Sequence, residues 1–145
     1  MAEKGIVYGI GGGMFAPEDS VSLYQSVWLV LRAAGIEYSR DNWKSIAAGY
    51  DMLENENEQD KPIERQRFAD IVMKAYVLEN KQYKLTWDTA AYTDFAAIAA
   101  EYRNSVLGAK ELGFMSGNPD GDFAPEKALT RAEAAVVIRA LLSAL

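Results

Sequence analysis

Apolar residues recur at helical spacing in five stretches of the chain. From Ser22 to Ala34, the positions Leu23, Val27, Trp28, Val30 and Leu31 fall mainly on one stripe, and Gly35 follows where a left-handed residue closes a helix. Trp43 to Glu54 repeats the pattern with Ile46, Ala47, Tyr50 and Leu53, and Asn55 stands at the cap, the residue next best suited to positive φ. Ile63 to Leu78 predicts a third amphipathic helix with Phe68, Ile71, Val72, Ala75 and Tyr76 inward. A fourth runs from about Phe95 to Leu112, and a fifth from Arg131 to the C-terminus. Glu56 to Lys61 is acidic and reads as a solvated loop, and Glu79 to Thr93, which holds Trp87, reads as a linker. The class predicted is all-α.

These helices belong to a repeated unit. Gly5-Ile-Val-Tyr-Gly9 aligns with Gly113-Phe-Met-Ser-Gly117, and Gly13-Met-Phe-Ala-Pro-Glu18 with Gly121-Asp-Phe-Ala-Pro-Glu126; the spacing is 113 − 5 = 108, and it holds without a gap to Gln25 and Glu133. A middle copy keeps the helices and loses the loop between them. Trp43 to Asn55 fits Glu101 to Gly113 at a spacing of 58, and Ile63 to Ala69 fits Leu129 to Ala135 at 66, so 66 − 58 = 8 residues are deleted. The units are expected at 1–35, 40–79 and 92–145, together forming one compact domain. Unit one opens where its first helix should be ending. The chain is therefore expected to be a fragment of a longer protein, with apolar surface left for another element or chain to cover.

Two local patterns carry candidate chemistry. Thr130-Arg-Ala-Glu133 has the form of a capping box, as does Ser22-Leu-Tyr-Gln25, and such a cap stabilises by about 1 kcal/mol. The cap does not explain Arg131: a cation in the first turn opposes the helix dipole, and beside free N–H groups it predicts an anion pocket. Gly117 to Pro125 is a tight loop in which Pro119 fixes φ, Asp120-Gly121 supplies the turn and Phe123 plugs the space beneath. Its glycines let backbone approach a ligand closely.

Composition narrows the chemistry. The chain has 145 residues, half of them hydrophobic, enough for one real core. A net charge of −6 argues against nucleic acid and against an anionic membrane surface as the main partner. The sequence has no cysteine and no histidine, which removes disulfides, thiol catalysis, thiolate metal sites and the usual general base. No apolar run reaches the roughly 18 residues of a membrane span. Gly9-Ile-Gly-Gly-Gly13 lacks both the strand and the third glycine of a dinucleotide loop. A calcium loop through Asn118 and Asp120 would put Ser116 first and Lys127 last, where carboxylates are needed. Asp88 and Asp94 have no spacing that selects a hydrolytic pair. No metal, cofactor or catalytic residue is expected.

The run from Gly113 to Glu133, preceded by Tyr92-Thr-Asp-Phe95, resembles the signature of the S-layer homology family, and the three units cover nearly the whole chain. The resemblance implies a noncatalytic, pseudo-threefold all-α bundle of helix-loop-helix repeats. Such bundles are found at the ends of extracellular bacterial surface proteins. They anchor them noncovalently to secondary cell-wall polysaccharide or another peptidoglycan-linked polymer, often one carrying ketal-linked pyruvate. In that family the Arg of the Thr-Arg-Ala-Glu motif, with nearby Asp, Gly and Trp residues, lines grooves between adjacent repeats. The carry-over gives Thr130, Arg131, Glu133, Asp120 and Gly121 in unit three, Arg65 in unit two, and Trp43 as the tryptophan early in a first helix. A guanidinium suits the role because it grips a carboxylate with two parallel hydrogen bonds and keeps its charge.

The departures from the pattern are as informative. Unit one has Leu23 for the Arg and Gln25 for the Glu; unit two has Glu64 for the Thr, Arg67 for the Glu, and no glycine loop. The resemblance then implies fewer working grooves than repeats, and weaker binding through lost multivalency. Trp28, Trp43 and Trp87 are candidates for stacking on sugar faces or for the core. The competing reading is a noncatalytic protein-interaction or surface-layer assembly module with decayed grooves, self-associating through the truncated repeat.

Overall fold

Three short extended segments, residues 19–22, 61–64 and 127–130, meet one another, and a helix leaves each of them. The structure, a computed structural model, describes residues 19–53, 60–78, 85 and 87–145. The segments pair cyclically. Val21 N–H donates to Leu129 O, Leu129 N–H to Ile63 O and Ile63 N–H to Val21 O, each at 2.9 Å. An outer set closes the same ring in the opposite sense: Leu23 N–H to Lys61 O at 3.0 Å, Arg65 N–H to Lys127 O at 3.0 Å, and Arg131 N–H to Asp19 O at 2.9 Å. Val21, Ile63 and Leu129 are buried to 2 % exposure or less, so the ring is both hydrogen-bonded and apolar at its centre. Residues 21 and 129 are 108 apart and 63 and 129 are 66 apart, the spacings found in the sequence.

The described residues contain five α-helices and no strand. Helix α1 is Leu23–Ala33, α2 Trp43–Gly49, α3 Arg65–Leu78, α4 Arg103–Glu111 and α5 Arg131–Ala144. Leu23, Arg65 and Arg131 are thus the first residues of α1, α3 and α5. Helix α3 packs against α1, α4 and α5, and its predicted inward residues Phe68, Ile71, Val72, Ala75 and Tyr76 are all buried. Helix α1 ends as predicted, with Gly35 at φ +74°. Both capping boxes form: Ser22 with Gln25 at α1, and Thr130 with Glu133 at α5.

Two helices differ from expectation. Helix α2 stops at Gly49 rather than continuing to Glu54, because Gly49 weakens it and Asp51 takes φ +61°. Met52 N–H then returns to Ala47 O at 2.9 Å, and Met52 and Leu53 turn into the core while Tyr50 stays exposed. Lys74 of α3 holds this turn, with Nζ 2.5 Å from Asp51 O and 2.8 Å from Asp70 Oδ2. The predicted cap at Asn55 and most of the acidic loop lie outside the described residues, as do residues 1–18, which hold the loop of unit one.

The fourth predicted helix is broken into two short 3-10 turns, Phe95–Ala97 and Ala100–Tyr102, followed by α4. At the break Ile98 and Ala99 are extended, with ψ near 127° and 136°, which drives Ile98 fully into the core. Side chains satisfy the freed backbone groups: Ala99 N–H donates to Gln66 Oε1 at 2.9 Å, and Arg103 Nε donates to Ile98 O at 2.9 Å.

Candidate functional site

The loop between α4 and α5 is built around a missing side chain. A Cβ on Gly117 would lie 2.4 Å from Asp122 O and 2.6 Å from Tyr92 Cε1, so only glycine lets the chain cross the Tyr92 ring. Asn118 N–H donates to Asp122 O at 2.8 Å, Gly121 N–H to Asn118 O at 2.9 Å, and Gly121 turns at φ +96°. Asn118 Nδ2 also donates to Asp122 Oδ1 at 2.6 Å, and this bond, with Asp120 and Arg65 nearby, holds the Asp122 carboxyl below its ordinary pKa. Phe123 is fully buried, as the plug reading predicts, with its ring 5.1 Å from that of Tyr92. Burial pushes the Tyr92 phenol up to about 12, and its hydroxyl makes no hydrogen bond.

Asp94 clamps this loop from outside. Its Oδ1 accepts from Phe123 N–H at 2.8 Å and its Oδ2 from Ala124 N–H at 2.9 Å, which fixes Ala124 at φ +56°. Thr93 N–H adds a bond to Gly121 O at 3.0 Å. The Tyr92-Thr-Asp-Phe95 motif is thereby explained: Tyr92 supports Gly117, Thr93 and Asp94 hold the loop backbone, and Phe95 is core. Asp94 entered the sequence reading as part of that motif and as a member of a hydrolytic pair, without this clamping role. Both of its oxygens are occupied by backbone N–H groups, and Asp88 Oδ1 accepts from Ala90 N–H.

Arg65 joins this loop to the centre of the molecule. It comes from α3, is 5 % exposed, and donates from Nε to Phe123 O at 2.9 Å and from Nη2 to Ser116 O at 3.2 Å. Nη1 forms an ion pair with Glu133 Oε2, and the guanidinium lies 4.9 Å over the Phe123 ring. The other oxygen of Glu133, Oε1, accepts from Thr130 N–H at 3.0 Å and Thr130 Oγ1 at 3.1 Å. Glu133 therefore caps α5 and neutralises Arg65 at once. Arg65, Phe114, Met115, Ser116, Glu133 and Val136 border a cavity of about 220 Å³.

Of the residues singled out by sequence, Arg65, Glu133 and Thr130 come together in one network. Gly121 and Asp120 are on the adjoining loop, with Asp120 exposed. Arg131 is buried at the start of α5, 8 % exposed, and its N–H is bonded to Asp19 O. The expected free N–H groups are therefore corrected: the backbone of Arg131 and Glu133 is already bonded, to Asp19 O and Thr130 Oγ1, because the paired segments and the cap reach them first. Trp43 lies elsewhere, buried on α2 with its ring 6.0 Å from Trp28 and 6.5 Å from Tyr24. Trp87 is 54 % exposed and meets Phe95 edge-on.

Sequence reasoning missed Asp94, Gln66 and the carbonyls of Ser116 and Phe123. The motif around Asp94 was the available signal for the first; the others depend on which unit faces which. Among the described residues, no helix is long and apolar enough to cross a membrane.

A small all-α module built on a glycine loop and a capped arginine helix is thus defined. The sequence model of the S-layer homology domain, a family of cell-wall anchoring modules, matches residues 1–23 and 91–135 of the chain. The chain is 30 % identical to an endoglucanase of Bacillus sp. (strain KSM-635) over 97 % of its own length and 17 % of that protein's. It is 28 % identical to an amylopullulanase of Thermoanaerobacterium thermosulfurigenes, over 98 % of the chain and 8 % of the relative. To exoglucanase XynX of Acetivibrio thermocellus it is 26 % identical, over 98 % and 15 %. The chain spans less than one fifth of the length of each of these relatives.

Proposed function

We propose that this chain holds a larger bacterial surface protein noncovalently on the cell wall by binding secondary wall polysaccharide, with acidic substituents such as ketal-linked pyruvate as the groups recognised. Three units, at 1–35, 40–79 and 92–145, stand about a pseudo-threefold axis, and the junctions between them bind the polymer. The observation that carries this reading is the cyclic bonding of residues 21, 63 and 129, which gives α1, α3 and α5 equivalent starts. Arg65 from one unit and Glu133 with its glycine loop from the next meet at such a junction.

The relatives support a module role. Their names describe three different glycan-degrading activities, and what they share with this chain is a small fraction of each. A segment common to such unlike enzymes suits attachment better than catalysis. The parent protein's own activity is then a separate matter, carried by other domains.

Arg131, Asp120 and Gly121 are the proposed polymer contacts in unit three, with Arg65, Glu133 and Thr130 framing them. Asp120→Ala removes an exposed side chain, and Arg131→Gln removes a charge while keeping much of the volume. Each variant should lose most of its retention on Gram-positive sacculi while the thermal midpoint of Asp120→Ala stays unchanged. Retention indifferent to both substitutions would sink this assignment and favour a protein-docking module.

A further inference from the structure

Positions 28 of α1, 70 of α3 and 136 of α5 are equivalent, since 136 − 28 = 108 and 136 − 70 = 66. Two of the three are covered by a neighbouring helix. The Trp43 ring of α2 lies 6.0 Å from that of Trp28, and Ser105 Oγ of α4 donates to Asp70 Oδ1 at 2.7 Å. Val136 has no such cover: at 67 % it is the most exposed of the large apolar side chains among the described residues. Beside it is a hollow of about 220 Å³ whose border includes Gly113, Phe114, Met115 and Val137.

Residues three and four apart share a helix face, so Ala132, Glu133, Arg139 and Ala140 surround Val136, and none of these five is among the buried residues of α5. The set is symmetric about Val136 in position and opposite in charge, with Glu133 three residues before it and Arg139 three after. Two such helices running antiparallel across a two-fold axis at Val136 set residue 136 − n of one against 136 + n of the other. Each Glu133 then meets the second copy's Arg139, and each Ala132 the second copy's Ala140, where small side chains let the helices come close. The charges are disposed to do this. Arg139 is exposed and, among the described residues, its guanidinium pairs with no carboxylate. Glu133 keeps 29 % of its side chain exposed, and a carboxylate has about four acceptor positions, more than its cap and Arg65 occupy.

We propose that this face is an interface between two copies of the chain, α5 against α5, with each Val136 at the mouth of the other copy's hollow and two Glu133–Arg139 pairs at the rim. The self-complementary order of charge is what selects a second copy over an unrelated partner. Nothing in the interface depends on wall binding, and Arg131, Asp120 and Gly121 do not border the hollow.

Sedimentation equilibrium of the chain tests the proposal. One helix pair buries less than the roughly 1,200 Å² of a stable interface, so a dissociation constant of about 10–100 µM is expected, with the mass rising from 16.0 kDa towards 2 × 16.0 = 32.0 kDa. Val136→Glu and Arg139→Glu should each weaken the dimer at least about tenfold while leaving the thermal midpoint of the exposed-site variant where it was. The sequence has no cysteine, so Val136→Cys gives an unambiguous cross-link: under mild oxidation it should form a disulfide-linked dimer at least about tenfold faster than Glu126→Cys, an exposed control outside the face. A wild type that stays monomeric at about 0.5 mM would leave Val136 to some other occupant and overturn the proposal. So would a dimer that survives Val136→Glu, or cross-linking no faster at 136 than at 126.

Discussion

Gly117 passes Asp122 O and the Tyr92 ring with no room for a Cβ, and Gly117 and Tyr92 each give a test. Gly117→Ala forces a Cβ against a backbone oxygen, so it should cost about 1–3 kcal/mol, seen as a lower urea midpoint with an unchanged slope. An unaltered midpoint would mean that the loop yields without loss. Tyr92 titrates near 12 in the folded chain against an ordinary 10, so the unfolded state gives up this proton first. Its contribution is whole below pH 10 and is lost as pH rises to about 12. Tyr92→Phe should be as stable as wild type at pH 7, since the hydroxyl has no partner, and should lose less stability between pH 10 and 12. Parallel alkaline unfolding curves for the two proteins would contradict this. At this scale the sequence was most legible where a residue serves its own backbone, as Thr130, Glu133 and Gly121 do. Arg65 was legible as a cation of interest, but its partners were not, because Ser116, Phe123 and Glu133 are 51, 58 and 68 residues away.

At the scale of elements, the junction of α3 with α5 rests on a pair whose arginine side chain is only 6 % exposed. Arg65→Ala takes away the guanidinium's bonds to Phe123 O, Ser116 O and Glu133 at once, so it should destabilise by about 3 kcal/mol or more. Glu133→Ala should cost a similar amount plus about 1 kcal/mol for the lost cap. In a double-mutant cycle the two should couple strongly; additive losses would mean that the pair contributes nothing of its own. Helices with a clean stripe, α1, α3 and α5, were readable to within two residues of their ends, α1 and α5 with the help of a capping box. The C-terminal end of α2 and the start of the fourth helix were not. Asp51 at positive φ, and the break at Ile98 and Ala99, are set by Lys74 and Gln66 reaching in from α3, so no local pattern announces them.

The whole molecule is organised by its ring of three paired segments more than by any one helix pair. The ring makes the first residues of α1, α3 and α5 comparable, and the comparison exposes what differs: leucine at one, arginine at two. The 108- and 66-residue spacings were visible in the sequence, but that they close on one another is a property of the folded chain. It follows that Leu23 and Arg67 are changes at one junction, not scattered decay. The central claim is that the assembled units hold wall polymer, and the most direct measurement is sedimentation of the wild-type chain with Gram-positive sacculi before and after extraction of their secondary polymer. The account predicts that the protein pellets with intact sacculi and remains in solution with extracted ones. Equal pelleting with both, or none with either, would contradict it.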